Sequence, residues 1–195
     1  MRRFERYVAT FDNGVQKKKI RPITVKLYEW TSTIVTSFLL VLFLLAFIFR
    51  IATVAGPSMQ PTLQDGNSLI ISNLDSNYKY GDIVVISQPN FLHENIIKRV
   101  VAVGGDKVDI DFDRGIVYVN DKALEEPYIN GLTTRTLPNS FKFPLTVPDG
   151  CLFVMGDNRN DSLDSRSKDI GFIDERYVFG KAYFRIVPFG EWRIY

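Results

Sequence analysis

Twenty consecutive residues without a charge, Trp30 to Phe49 (WTSTIVTSFLLVLFLLAFIF), limit what this chain can become more than any other feature. A helix rises about 1.5 Å per residue, so a run of ~20 residues crosses a hydrocarbon layer of about 30 Å. A cleavable secretory leader has a shorter apolar region, of about 7–15 residues. A surface helix of a globular domain shows a polar face, and this run is apolar all round. The run therefore reads as a retained transmembrane anchor over residues 30–50. Residues 1–29 hold eight Lys/Arg (Arg2, Arg3, Arg6, Lys17, Lys18, Lys19, Arg21, Lys26) against three acids (Glu5, Asp12, Glu29). This bias predicts a cytoplasmic N-terminus and an extracytoplasmic body after Arg50.

The body, residues 51–195, is large enough for one domain with its own core. Beyond residue 29 the chain holds sixteen basic and nineteen acidic residues. With no basic stripe, nucleic acid is not expected as a partner. Cys151 is the only cysteine, which excludes an internal disulfide and a zinc cluster, and it reads as a buried strand thiol. Short apolar runs recur at 69–71, 83–86, 96–103, 108–112, 116–119, 151–155 and 177–187. Turn signals separate them, among them Asp65-Gly66, Gly104-Gly105-Asp106 and Asn120-Asp121. The pattern predicts a mainly β fold, with antiparallel sheets around a small barrel-like core. Residues 124–148 carry four prolines and little periodicity, and read as a long loop or insertion.

Few residues can do hydrolytic chemistry. His93 is the only histidine, so any Ser/His/Asp triad must use it, and it lies in a polar loop segment. Metal hydrolysis draws on several His or Cys ligands, and a phosphate cradle needs Gly-x-x-x-x-Gly-Lys-Ser/Thr; neither set is present. No metal and no cofactor are expected. In Ile96–Val103, alternation puts Lys98 on one strand face with Ile96, Val100 and Ala102. Arg99 falls on the other face with Ile97, Val101 and Val103. Both faces are apolar. A buried Arg99 needs a carboxylate, whereas a buried lysine can shed its proton and serve as a general base. The alternative is that Lys98 snorkels to an edge and Arg99 pairs at the surface.

Gly56-Pro57-Ser58-Met59-Gln60-Pro61-Thr62-Leu63 brackets a serine with prolines, giving a stiff turn just beyond the apolar run. Such a turn can fix a hydroxyl and leave N–H groups free, although it also suits a plain connector. Gly156–Arg166 (GDNRNDSLDSR) follows an apolar strand, and its arginines and aspartates can pair to hold a turn rigid. The bare Ser-x-x-Lys matches at Ser76–Lys79 and Ser165–Lys168 lack the companion Lys-Thr-Gly of penicillin-binding enzymes and read as chance.

Taken together and in order, these segments resemble the bacterial type I signal peptidases, the leader peptidases with a Ser/Lys dyad. Residues 56–63 resemble the nucleophile box and Gly81–Val85 the next box. Lys98–Val108 resembles the lysine box, and Gly156–Arg166 the last. The single anchor, the compact body and Gly56 resemble the Gram-positive forms. The resemblance implies a membrane-bound serine endopeptidase that removes signal peptides from preproteins, cutting after small residues at the first and third positions before the bond. It implies Ser58 as nucleophile, Lys98 as base, and Ser162 as the residue that hydrogen-bonds and orients the lysine amine. Asp157, Asp164, Arg166 and Arg99 become structural supports. An oxyanion donor is expected in the Ser58 N–H, since Gly56 offers no hydroxyl. Met59 is open between contact with peptide or membrane and ordinary packing. Phe91 and Leu92 are expected to dip into lipid. The expected partners are preprotein signal peptides and the lipid bilayer, with the chain a monomer in the bacterial cell membrane. A self-cleaving repressor-type Ser/Lys protease, a peptidase dedicated to one pilus or surface protein, and a silent membrane-tethered β module are the rival readings.

Overall fold

The computed structural model describes residues 23–87, 94–190, 192 and 194. The basic residues 1–22 and the segment carrying Phe91, Leu92 and His93 lie outside the described residues. The chain divides into two units between Phe43 and Leu44, and helix α1, Ile23–Ile48, runs across that division. Its 26 residues give a length of about 39 Å, more than the ~30 Å a hydrocarbon core requires. None of its side chains is buried. Thr31 Oγ1 donates to Tyr28 O at 3.0 Å and Thr33 Oγ1 to Glu29 O at 2.7 Å. Both hydroxyls are thus satisfied by the helix itself, which lowers the cost of taking them into an apolar phase.

The expected span of 30–50 lies within this helix as far as Ile48. Among the described residues the helix already runs from Ile23, because residues 23–29 contain neither glycine nor proline to interrupt it. It stops at Ile48, because Phe49 and Arg50 already pair with Ser72 and Ile71 as strand.

Eleven strands follow among the described residues: β1 Phe49–Thr53, β2 Ser68–Ser72, β3 Ile83–Ser87, β4 Asn95–Val103, β5 Lys107–Asp111, β6 Ile116–Val119, β7 Lys122–Ala123, β8 Leu145–Thr146, β9 Cys151–Met155, β10 Ile173–Asp174 and β11 Val178–Val187. A seven-stranded sheet has the order β1-β2-β11-β3-β4-β9-β10, and a four-stranded sheet the order β7-β6-β5-β8. The pairings are antiparallel. The fold is mainly β with one N-terminal apolar helix. Each short apolar run read from the sequence contributes a strand; β1 follows directly on the long apolar run, sharing only Phe49 with it, and β7, β8 and β10 have only two residues each.

Three apolar clusters surround the sheets. Val84, Ile86, Val100, Leu152, Val154 and Ile173 form the first. Met59, Leu63, Leu69, Ile71, Ile83 and Val85 belong to the second. Val101, Ala102, Val108, Phe153 and Met155 belong to the third. Strands β3 and β4 contribute to clusters on both faces, which is why they read as unbroken apolar runs. Alternation along β4 holds as far as Val100. A register shift against β9 between Val100 and Ala102 then swaps the last residues: Ala102 joins the third cluster and Val103 packs on the first.

Two tight places join strands. Asn120 (φ 52°) and Asp121 (φ 63°) make the two-residue turn between β6 and β7. After β4, Gly104 lies so close to the 148–150 turn that a Cβ there would sit 2.9 Å from Asp149 Cα. The 124–148 segment is mostly irregular, as expected. It is nonetheless tied down: β8 pairs with β5, Ile129 bridges Pro61, and Thr133 is buried.

Phe153 is fully buried and packs edge-on against Phe143, with Phe172 beside it. Phe153→Ala is expected to lower unfolding free energy by about 3–5 kcal/mol, read from urea titration of the detergent-solubilised chain.

Candidate active site

Lys98 and Arg99 are consecutive on β4, so they project to opposite faces of the sheet. Both are buried, with 4% and 1% of their surface exposed. The surface alternatives are therefore excluded for both cations. Lys98 Nζ donates to Ser58 Oγ at 2.7 Å. Burial drives the Lys98 pKa from the usual 10.5 down to about 8. The Asp164 carboxylate opposes this, Arg166 adds to it, and Asp157 opposes it more weakly. Desolvation prevails because no carboxylate is hydrogen-bonded to the amine among the described residues.

Ser58 sits in a turn closed by Gln60 N to Pro57 O (3.0 Å) and Leu63 N to Met59 O (2.9 Å). The turn is pinned from within by Met59 and Leu63, which are buried in the second cluster. From outside, Asn158 N donates to Ser58 O at 3.0 Å and Asn158 Nδ2 to Pro57 O at 3.3 Å. Gly56 N donates to Asp65 Oδ1 at 2.9 Å, so that N–H is already occupied. Among the described residues, the Ser58 N–H has no hydrogen-bond partner.

Three buried ion pairs frame the two groups. Arg99 reaches Asp157 through Nε (2.8 Å) and Nη2 (2.6 Å), and Arg99 Nη1 donates to Gly81 O at 2.8 Å. Thr62 Oγ1 donates to Asp157 Oδ2 at 2.5 Å, which ties the serine turn to the same carboxylate. Arg166 holds Asp164 through Nε (2.8 Å) and Nη2 (2.9 Å), and Asp164 Oδ2 accepts from Gly156 N at 3.0 Å. Arg159 is paired with Glu126 and also donates from Nε to Gly156 O at 3.1 Å. Gly156 has no room for a side chain: a Cβ would lie 2.3 Å from Ser162 Oγ and 2.5 Å from Ser58 O. Among the described residues, no group of three or more His, Cys, Asp or Glu is placed to hold a metal ion.

A family model described as signal peptidase, peptidase S26, matches residues 27–187. The chain belongs to this family. Signal peptidase I of Bacillus licheniformis is 36% identical over 175 residues, covering 86% of this chain and 92% of that one. Signal peptidase IB of Staphylococcus aureus is 35% identical over 185 residues, covering 86% and 93%. A crystal structure of a signal peptidase I from Enterococcus faecalis aligns with 28% identity and a TM-score of 0.43, covering 53% of this chain and 95% of that one. S26 membership makes the chain a serine-type peptidase, and its apolar helix fits the anchoring of such an enzyme in a membrane.

Within this S26 peptidase, the structure brings together Ser58, Lys98, Arg99, Asp157, Asp164 and Arg166. One expectation needs correction. Ser162 does not hydrogen-bond to the lysine amine; its Oγ is buried and has no partner among the described residues, held beneath Gly156 while Lys98 reaches Ser58 instead. Met59, open between contact and packing, takes the packing alternative: at 1% exposure it is a core residue that anchors the serine turn. Cys151 is half-buried at the start of β9, and burial raises its thiol pKa. Sequence reading missed Thr62, Glu126, Tyr128, Asn158 and Arg159. Arg159 and Asn158 stood inside the polar 156–166 segment. Glu126 and Tyr128 lay in the aperiodic stretch and gave no signal.

A lysine shifted this far costs the fold about 3 kcal/mol whenever it is protonated inside. Between pH 8 and 10.5 the unfolded chain holds the proton that the folded one has lost, so this group makes stability rise with pH there. Lys98→Met is therefore expected to raise unfolding free energy at pH 7 by up to about 3 kcal/mol, the gain fading toward pH 10.5. Urea titrations at both pH values check this. Gly156→Ala is expected to reduce turnover by about a hundredfold or more, by displacing Ser58 or Ser162; preprotein cleavage assays read it.

Proposed function

We propose that Ser58 and Lys98 form the catalytic dyad of a membrane-bound endopeptidase that removes N-terminal signal peptides from secreted preproteins. The 2.7 Å contact between a buried amine and the serine hydroxyl carries this reading. An amine with a pKa of about 8 is neutral in about a tenth of molecules at pH 7, roughly three hundred times more than at the ordinary 10.5, and in that form can accept the hydroxyl proton. Ser58 Oγ attacks the scissile carbonyl carbon as its proton passes to Lys98 Nζ. The unpartnered Ser58 N–H supports a role as donor to the resulting oxyanion. Collapse breaks the C–N bond, and Lys98 returns the proton to the departing amine of the mature protein. Water then gives a proton to Lys98 as it attacks the acyl carbon; the ester C–O bond breaks, Ser58 Oγ takes that proton back from Lys98, and the signal peptide leaves as an acid that ionises in water.

The substrate binds as an extended strand, and small side chains at the first and third positions before the cut set the specificity. Arg99, Asp157, Asp164 and Arg166 act as structural supports of the dyad. The enzyme works as a monomer with residues 1–29 cytoplasmic and the body, from residue 51, outside the membrane; basic residues ahead of the apolar run support this orientation. Contact with the bilayer is supported by one sheet face. Ile51, Ile70 and Phe184 are in register across β1, β2 and β11, with Ile51 and Phe184 exposed. Exposed Phe189 and Trp192 pack edge to face nearby in the chain, with centroids 5.3 Å apart. Such aromatic groups suit a membrane interface.

Cleavage of a preprotein in detergent micelles tests the reading. Ser58→Ala and Lys98→Met are expected to abolish turnover, and His93→Ala to leave it nearly intact. In wild type, kcat/KM is expected to fall about tenfold per pH unit below an apparent pKa of about 8. Turnover in Lys98→Met equal to wild type would end the proposed mechanism.

A further inference from the structure

The segment Glu126–Asn130, part of the aperiodic stretch after β7, touches all three parts of the site. Ile129 forms an antiparallel bridge with Pro61, three residues after Ser58. Asn130 N donates to Asp157 O at 3.2 Å. Glu126 puts a buried carboxylate on Arg159, whose Nε holds Gly156 O. The Tyr128 ring lies over the Arg99 guanidinium, 4.0 Å from Cζ to the ring centroid.

These contacts are complementary. Arg99 uses its N–H groups in the guanidinium plane on Asp157 and Gly81. Tyr128 covers a face of that plane, where an aromatic ring attracts a cation and excludes water. The Tyr128 hydroxyl is 3.0 Å from Tyr80 Oη and donates to Glu126 Oε1 at 3.3 Å. Tyr80 Oη in turn donates to Glu125 O at 2.9 Å, which fixes the segment to the chain entering β3. Burial holds the Tyr128 phenol far above its ordinary pKa, so it stays a neutral donor.

We propose that residues 126–130 are a strap that sets the spacing between the serine turn, β4 and the 156–166 turn, and that Glu126 and Tyr128 are positioning residues for the peptidase reaction. This rests on the Ser58/Lys98 reading. Neither residue touches Ser58 or Lys98; each acts through an arginine next to the dyad or its supporting glycine. The reaction depends on a contact of one hydrogen-bond length, and a misplacement of about 1 Å costs on the order of a hundredfold in rate.

The test compares Tyr128→Leu, Tyr128→Phe and Glu126→Gln in the full chain in detergent, with rates expressed per active serine counted by covalent acylation. Tyr128→Leu and Glu126→Gln are expected to lower kcat by about tenfold or more while KM stays within about twofold. Tyr128→Phe keeps the ring over Arg99 and is expected to restore most of the rate. A strap that merely adds stability would lower Tm and the count of active serines without changing kcat per serine. Wild-type kcat per serine in Tyr128→Leu and Glu126→Gln, or a change confined to KM, would overturn the proposal. Ser58→Ala and Lys98→Met run alongside: if either cleaves, the dyad reading fails, and if both are silent while the strap variants are normal, only the strap fails.

Discussion

An ammonium group withdrawn from water must find an anion or give up its proton. Lys98 is withdrawn, and its nearest partner is an uncharged hydroxyl. Everything else around it can be understood as keeping that situation intact. The acids within electrostatic reach, Asp164 and Asp157, would restore the proton if they were free to turn toward the amine. Each is engaged by an arginine through two N–H groups. Arginine suits this task because it cannot lose its own proton and its planar fork fixes a carboxylate in orientation as well as charge.

The frame is costly in ordinary terms. Buried ion pairs recover little more than their desolvation, and apolar side chains of similar size often stabilise a core as well. What the pairs contribute here is geometry. Asp157 joins β4 to the serine turn through Arg99 and Thr62, and Gly156 is fixed by Asp164 on its N–H and Arg159 on its carbonyl. Stability is given up at the site, in the dry amine and the orphan Ser162 hydroxyl, and regained in the three apolar clusters that enclose it.

The division of labour between the chain's parts follows from the same physics. A helix fit to cross a membrane satisfies its own backbone, and this one carries no charged residue from Trp30 to Ile48, so the ionisable groups of the site come from the sheets and turns. Adjacent residues of one strand face opposite sides, which lets Lys98 reach the serine while Arg99 secures the fold behind it.

Local pattern was enough to read the apolar helix, the long strands, the Asn120-Asp121 turn and the two polar segments, because each rests on residues close together in the chain. It also narrowed the candidate bases, since a chain with one histidine and one cysteine has few, but Ser58 and Lys98 were singled out by the resemblance to the type I signal peptidases. Whether Lys98 and Arg99 were buried could not be read from an alternation in which both faces are apolar; the neighbouring strands β3 and β9 and the packing over them settled it. Met59 could not be told from a surface contact, because a methionine in a proline-bracketed turn has no period to give it a face. The partnership of Glu126 with Arg159 and of Tyr128 with Arg99 joins residues about thirty apart in the chain and was decided by tertiary structure alone. Ion pairs and ring contacts depend on distance through space, and an aperiodic loop carries no record of what it will lie against.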